Sequence, residues 1–274
     1  MTAGYGANFC LTLFTNDAEL ARRADAAGVD RIGTDLERIG KDARQGGLNT
    51  WISDHTLDDL AAIARVIDRR RLFCRINPIH PGSAEEIDTV LALGVATLML
   101  PMFTTTKEVE TFLRLVDGRA HPVLLLETAA AATIVDDICR VPGVVEIHAG
   151  LNDLRLSLGW PSHFHVLVSD LLVGLSERIR AAGIAFRVGG LGRAGDASLP
   201  ISSDLVYPQY PRLGASGGLI SRVFFNTEPL ELAGEIARLR RELDRYADEP
   251  AAALAAHRQA LTDKIDRLFR RPAS

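Results

Sequence analysis

Short apolar runs alternate along the chain with longer stretches whose apolar positions recur every three or four residues. The runs are FCLTLF (9–14), VDRIGTD (29–35), RLFCRIN (71–77), ATLMLPM (96–102), PVLLLET (122–128), VVEIHAG (144–150), IAFRVGG (184–190) and SDLVYPQ (203–209). Their length and branched side chains predict strands, and their nearly continuous apolar character predicts burial on both faces. The intervening stretches read as amphipathic helices. In 16–28, Leu20, Ala21, Ala24 and Ala27 share one side, with Asn16 or Asp17 placed to cap the first turn. The stretch 56–70 repeats the pattern with Leu57, Leu60, Ile63, Ala64 and Ile67. The stretch 83–94 opens with Ser83-x-x-Glu86, a capping-box spacing, and closes on Gly94. Segments 106–116, 129–141 and 165–183 complete the series.

Eight strands separated mostly by helices predict an α/β protein with a parallel sheet. Eight such units in the first 227 residues fit a (β/α)8 TIM barrel, typically about 250 residues long. A doubly wound open sheet is the competing architecture, but no Gly-x-Gly-x-x-Gly turn follows the first strand. The glycine-rich GGLGRAG (189–195) comes late in the chain and makes only a weak phosphate loop. Residues 1–227 therefore form the expected barrel domain. Residues 228–274 hold two charged amphipathic helices (228–249 and 250–271) with no strand between them. Either one helix closes the barrel and the other packs outside, or the pair carries the chain onto a neighbouring subunit.

Composition narrows the classes further. The 274 residues are 47% hydrophobic and 24% charged, with a formal net charge of −4, an ordinary globular balance. No basic stripe marks a nucleic-acid partner. No apolar run approaches the roughly 20 residues of a membrane span, and the N-terminus lacks a signal-peptide pattern. Cys10, Cys74 and Cys139 match no metal or redox spacing and read as thiols in a reducing compartment, so a cytoplasmic location is expected.

Barrel active sites lie where the strands end, which makes the polar residues there informative. These are Asp35, Glu37 and Arg38 after strand two, Arg75 and Asn77 after strand three, and Glu127 and Thr128 after strand five. Asn152 and Asp153 follow strand six, and Tyr210 and Arg212 follow the run at 203–209 that reads as strand eight. Glu127 directly follows three leucines, and a carboxylate so close to an apolar interior costs several kcal/mol unless a cation compensates it. A salt bridge to a core arginine such as Arg75 is one solution. Convergence with Asp153 on a hard divalent cation, Mg2+ or Mn2+, is the other. Arg75 beside such a metal could hold a carboxylate or a developing oxyanion, and the backbone amides at Leu151 and Asn152 could bind an anion. These parts suit a 2-oxo acid, with the metal stabilising an enolate. His55 lies in the long loop after strand two and could reach the site as a base, although a capping or exposed role fits it too. His148 reads as a barrel-interior histidine.

With these residues assembled, the chain resembles the HpcH/HpaI aldolase and citrate lyase β-subunit family of the phosphoenolpyruvate/pyruvate barrel superfamily. The likeness runs from about Phe14 to Trp160 and more loosely to about Phe225. AGVDRIGTDLE, CRIN, GVATLMLPM, LLLETAAA and GLNDLRLSLG carry it, in the family's order. It implies a barrel whose last helix is often exchanged between subunits of a homo-oligomer. It also implies a divalent metal at Glu127 and Asp153, Arg75 on substrate oxygens, and Asp35 and Glu37 ordering the groups around the metal. Members make or break C–C bonds of 2-oxo acids or acyl-CoA thioesters. The chain departs from the pattern at Arg38, where the aldolase branch commonly carries an acid/base histidine; a guanidinium does not act as a base near neutral pH. The loop that follows adds Lys41, Arg44 and Trp51, which suggest an anionic or larger substrate. The leading reading is a metal-dependent carbon–carbon lyase, aldolase or synthase. Its alternatives are an acyl-CoA lyase or thioester hydrolase of the citrate lyase type, and a non-catalytic barrel subunit that has lost its base.

Overall fold

The structure is a computed structural model that describes residues 4–40, 53–196, 198–225 and 231–269. Eight strands form one parallel sheet: β1 (Cys10–Phe14), β2 (Arg31–Asp35), β3 (Leu72–Arg75), β4 (Thr97–Leu100), β5 (His121–Leu126), β6 (Glu146–Ala149), β7 (Ala185–Val188) and β8 (Gly217–Leu219). Their order is β7-β6-β5-β4-β3-β2-β1-β8. Ser216 N donates to Phe186 O at 2.8 Å and Gly190 N to Leu219 O at 3.2 Å, joining the two ends into a barrel.

Strand alternation divides the apolar residues between two cores. Leu98, Leu100, Leu124, Leu126, Ile147 and Ala149 point outward into the large core beneath the helices. Phe73, Met99, Val123 and Leu125, with Phe14 against them, form a separate cluster inside the barrel. The same parity turns Arg75, Glu127 and His148 inward.

The helices include α1 (Ala18–Ala26), α2 (Leu57–Ile63), α3 (Ser83–Ala92), α4 (Thr106–Val116), α5 (Val135–Arg140), α6 (Asp170–Ala181), α7 (Leu232–Ala247) and α8 (Ala251–Phe269). Asp17 caps α1, accepting from Glu19 N and Leu20 N. The capping box expected at Ser83 and Glu86 does not form. Gly82 is the N-cap of α3, Ser83 Oγ accepts from His80 N, and Glu86 Oε1 accepts from both Asn77 N and Asn77 Nδ2. The tip of β3 has taken the acceptors that the helix would have used. The single helix expected over 165–183 is broken, because Ser169 is extended and its hydroxyl caps α6 by accepting from Leu172 N.

One expected strand is displaced. Residues 203–209 are helical, in turns at Ser203–Val206 and Gln209–Arg212, with Ser202 Oγ accepting from Asp204 N. The eighth strand is Gly217–Leu219, too short and too rich in glycine to show β propensity. Gly217 is required by close approach: a Cβ there would strike the Arg187 guanidinium and lie 2.6 Å from Cys10 O.

α7 packs across the end where the strands begin. Arg240 there donates from Nη1 to Gly6 O and Phe9 O, and from Nη2 to Gly28 O and Asp30 Oδ2. α8 lies along the turns at His163–Val168 and Gln209–Arg212, held by Arg258 Nε donating to Val168 O at 2.8 Å. Among the described residues no helix is long and apolar enough to cross a membrane.

Candidate active site

The C-terminal ends of β2, β3, β5 and β6 bring four carboxylates and one buried guanidinium to the barrel mouth. Arg75 Nε and Nη2 grip Asp35 Oδ1 and Oδ2 at 2.8 and 2.7 Å, and Nη2 lies 3.3 Å from Glu37 Oε2. Its guanidinium carbon sits 5.3 Å from the centre of the Phe14 ring. Burial opposes the Arg75 charge, but Asp35 and Glu37 outweigh it and hold the pKa above the ordinary guanidinium value.

Glu127 is 2% exposed. Of the two solutions open to it, the direct ion pair with Arg75 is not formed. The guanidinium is committed to Asp35 and Glu37, and Glu127 Oε1 accepts instead from Met102 N at 3.1 Å. Met102 adopts φ 55° to present that amide, a left-handed conformation that a non-glycine residue enters only under constraint. Burial pushes the Glu127 pKa well up; the Arg75 field opposes this, and the Asp153 and Glu37 charges add to the rise.

Gly150 explains how Glu127 fits. Its φ of −85° is open to any residue, so the glycine is not there to turn the chain. A Cβ at this position would lie 2.8 Å from both Cβ and Oε2 of Glu127 and 3.2 Å from Leu125 Cδ1. The carboxylate rests on the bare backbone of the β6 tip. Asp153 is half-buried on the turn Leu151–Ser157 that follows. The first hydrogen bond inside that turn is Leu154 N to Gly150 O, so the amides of Leu151 and Asn152 precede it. The Asn152 side chain is turned aside, accepting from Arg155 Nε at 3.4 Å.

The loop after β2 places His55 and Arg38. His55 Nδ1 accepts from Asp35 N at 3.1 Å, so the neutral ring carries its hydrogen on Nε2. Arg38 donates to Ser53 O and, at 2.8 Å, to His55 O, while its own N–H donates to Asn77 Oδ1 at 2.8 Å. It ties the segment at Ser53–His55 to the β2 tip. Lys41, Arg44 and Trp51 lie outside the described residues.

Arg212 is not at the mouth. Its expected placement there depends on 203–209 being the eighth strand. In the structure it precedes β8 and is fixed by Nε to Gln209 Oε1 at 2.6 Å and Nη2 to Leu167 O at 2.9 Å. Arg222, just beyond β8, does reach this region, and the Asp35 carboxylate acts on its charge. Nothing in its local sequence marks it, because β8 itself carries no legible pattern.

Among the described residues no group of three or more histidine, cysteine, aspartate and glutamate side chains is arranged to hold a metal. Glu127 and Asp153 form a pair instead. Two carboxylates suit Mg2+, which usually keeps several waters and takes few protein ligands. The surplus of buried negative charge around Glu127 is what a divalent cation would offset.

Residues 9–189 match the family model described as HpcH/HpaI aldolase/citrate lyase. The chain belongs to this family. Solved structures agree on the barrel. An HpcH/HpaI aldolase from Desulfitobacterium hafniense is 16% identical, with TM-score 0.60 and coverage of 89% of this chain and 95% of that one. A family protein from Burkholderia cenocepacia is 16% identical, with TM-score 0.62 and coverage of 88% and 95%. The citrate lyase β subunit of M. tuberculosis, solved with oxaloacetate and magnesium, is 18% identical, with TM-score 0.61 and coverage of 87% and 98%. No curated protein sequence matches the chain. Family membership makes this chain a lyase-type barrel.

Proposed function

We propose that the chain is a divalent-metal-dependent carbon–carbon lyase or synthase acting on a 2-oxo acid. The observation that carries this reading is the charge at the mouth: Asp35, Glu37, Glu127 and Asp153 against, among the described residues, the buried cation of Arg75 and the exposed Arg222. Glu127 and Asp153 would hold Mg2+ or Mn2+. When bound, the cation supplies Lewis-acid polarisation of the substrate's keto oxygen and offsets the repulsion between the two carboxylates.

The chain's own residues do the rest. Arg75 is held rigid by Asp35 and Glu37, which leaves Nη1 to donate to a substrate oxygen without reorganising. Asp35 also presents its N–H to His55, fixing the ring with Nε2–H as a donor rather than a base. The inner cluster of Phe73, Met99, Val123 and Leu125 closes the floor against water. The M. tuberculosis citrate lyase β subunit binds oxaloacetate, itself a 2-oxo acid, and this supports the same substrate class here.

Calorimetry with Mg2+ on the full chain and on Glu127→Gln tests the reading. The wild type is expected to bind, and the variant to lose at least tenfold in affinity. Its metal-free form should melt higher, since an uncompensated buried charge has gone. Equal affinity in both proteins would refute the proposed ligand. Coenzyme A binding in the same experiment would move the reading to an acyl-CoA lyase.

A further inference from the structure

The sequence marks His148 as an interior histidine, and such groups are normally satisfied by hydrogen bonds. This one is 4% exposed, and among the described residues neither ring nitrogen has a hydrogen-bond partner. The ring nitrogens are nonetheless not among the fully buried unpaired polar atoms of the described residues, so the ring is not sealed on every side by packed side chains.

On β6 the outward residues Ile147 and Ala149 belong to the helix-covered core, so Glu146, His148 and Gly150 face the barrel axis. The imidazole thus lies one inward position below Gly150, and Glu127 Oε2 rests against Gly150. The ring is directed upward: a Cβ on Gly189, just beyond the end of β7, would be 3.5 Å from His148 Nε2. Gly150 and Gly189 are thus bare at adjacent strand tips. Side chains flank both tips, Glu127 and Leu125 at Gly150 and Leu219 at Gly189, and the imidazole lies beneath them on the side of the mouth where Glu127 stands.

Among the described residues, the other candidates for proton transfer at the mouth are committed. Asp35 and Glu37 grip Arg75. Glu127 and Asp153 are the proposed cation ligands. His55 spends its acceptor nitrogen on Asp35 N–H, and Arg38 is bound to two carbonyls.

We propose that His148 is the catalytic residue that transfers the proton at the carbon adjoining the substrate's keto group. The proposal rests on the 2-oxo acid reading above. In the enolisation direction the C3–H bond breaks, its proton goes to His148 Nε2, and its electron pair forms the C2=C3 bond while the carbonyl pair moves onto oxygen. In the lyase direction the C4 hydroxyl proton goes to His148 Nε2, the C4–O pair forms the aldehyde carbonyl, the C3–C4 bond breaks with its pair forming the C2=C3 bond of the same enolate, and the imidazolium then gives that proton to C3.

The surroundings suit a ring that starts neutral. Burial is the main force against the imidazolium; Glu146 favours it, and Arg31 and Arg75 oppose it, leaving a pKa of about 4. The transient positive charge forms two residues from Glu146. That carboxylate is held by Arg31 Nη2 at 2.9 Å, His121 Nε2 at 2.9 Å and Arg187 Nε at 2.8 Å.

The test follows deuterium incorporation into the methyl group of pyruvate by proton NMR in D2O with Mg2+. The full chain is compared with His148→Gln and His148→Phe, and each protein is also titrated with Mg2+ and oxalate, which has no exchangeable carbon-bound hydrogen. Wild type should exchange, and both variants should slow by about 100-fold or more, the usual range for a lost acid/base group. Their Mg2+ and oxalate affinities should stay within about threefold of wild type, a split that a merely structural role would not give. Two outcomes overturn the proposal while leaving the metal site standing: a folded variant that exchanges at the wild-type rate, or a wild type that binds Mg2+ and oxalate but exchanges nothing. A wild type that binds neither Mg2+ nor oxalate removes the underlying reading.

Discussion

Adding one methyl group at Gly150 separates two explanations of that residue. Its φ of −85° is accessible to alanine, so the backbone does not resist Gly150→Ala. If conformational freedom were its purpose, the substitution would stabilise the chain by about 0.4–1 kcal/mol through the unfolded state. The structure predicts the opposite sign. The new Cβ would sit 2.8 Å from Glu127 Cβ and Oε2. The carboxylate end can rotate, but Glu127 Cβ is fixed to its own backbone and cannot move without shifting the β5 tip. Overpacking of this kind costs about 1–3 kcal/mol. At about 2–4 °C per kcal/mol for a chain of this size, the melting temperature should fall by roughly 2–12 °C. The displaced carboxylate should also weaken Mg2+ binding by at least tenfold. Thermal melts followed by circular dichroism, with and without Mg2+, read both effects. An alanine variant that melts at or above the wild-type temperature with unchanged Mg2+ affinity would refute the reasoning.

Two further outcomes follow from buried groups. His148 and His163 both have pKa values lowered by burial from 6.5 to about 4. Between these values the unfolded chain binds the proton and the folded chain does not. Stability is therefore full above pH 6.5 and is lost as pH falls toward 4, by on the order of 3 kcal/mol for His148. His148→Phe should flatten part of that decline in melts taken from pH 7 to 4, and an unchanged decline would count against the burial account. Arg212→Ala should lower stability by about 1–3 kcal/mol, through loss of its bonds to Leu167 O and Gln209, with methyl exchange of pyruvate within about twofold of wild type. A large loss of exchange without loss of stability would return Arg212 to the active site.

The sequence by itself determined the barrel and the chemical character of its mouth. Seven of the eight strands announce themselves because a strand covered on both faces must be apolar along its length, as in Leu124 to Leu126 or Leu98 to Leu100. A carboxylate immediately after such a run, at Glu127, is conspicuous for the same energetic reason. The eighth strand escapes because β8 pairs through a backbone left bare by Gly217 and Gly218, and pairing of that kind leaves no side-chain signature. The misplacement of Arg212 and the omission of Arg222 are direct consequences.

Only the tertiary structure decided how the polar groups share one another. Arg75 takes Asp35 and Glu37 and leaves Glu127 to Met102, a partition set by the adjacent Asp35 and Arg75 registers of β2 and β3. Glu86 could cap its own helix or hold Asn77, and the distance to the β3 tip chose the latter. The role of Gly150 is likewise a matter of what lies across from it rather than of its own torsions. Period and composition report on one residue's relation to solvent and to its neighbours in sequence. The partner of a buried charge is fixed by where a second strand happens to end, and no local pattern encodes that.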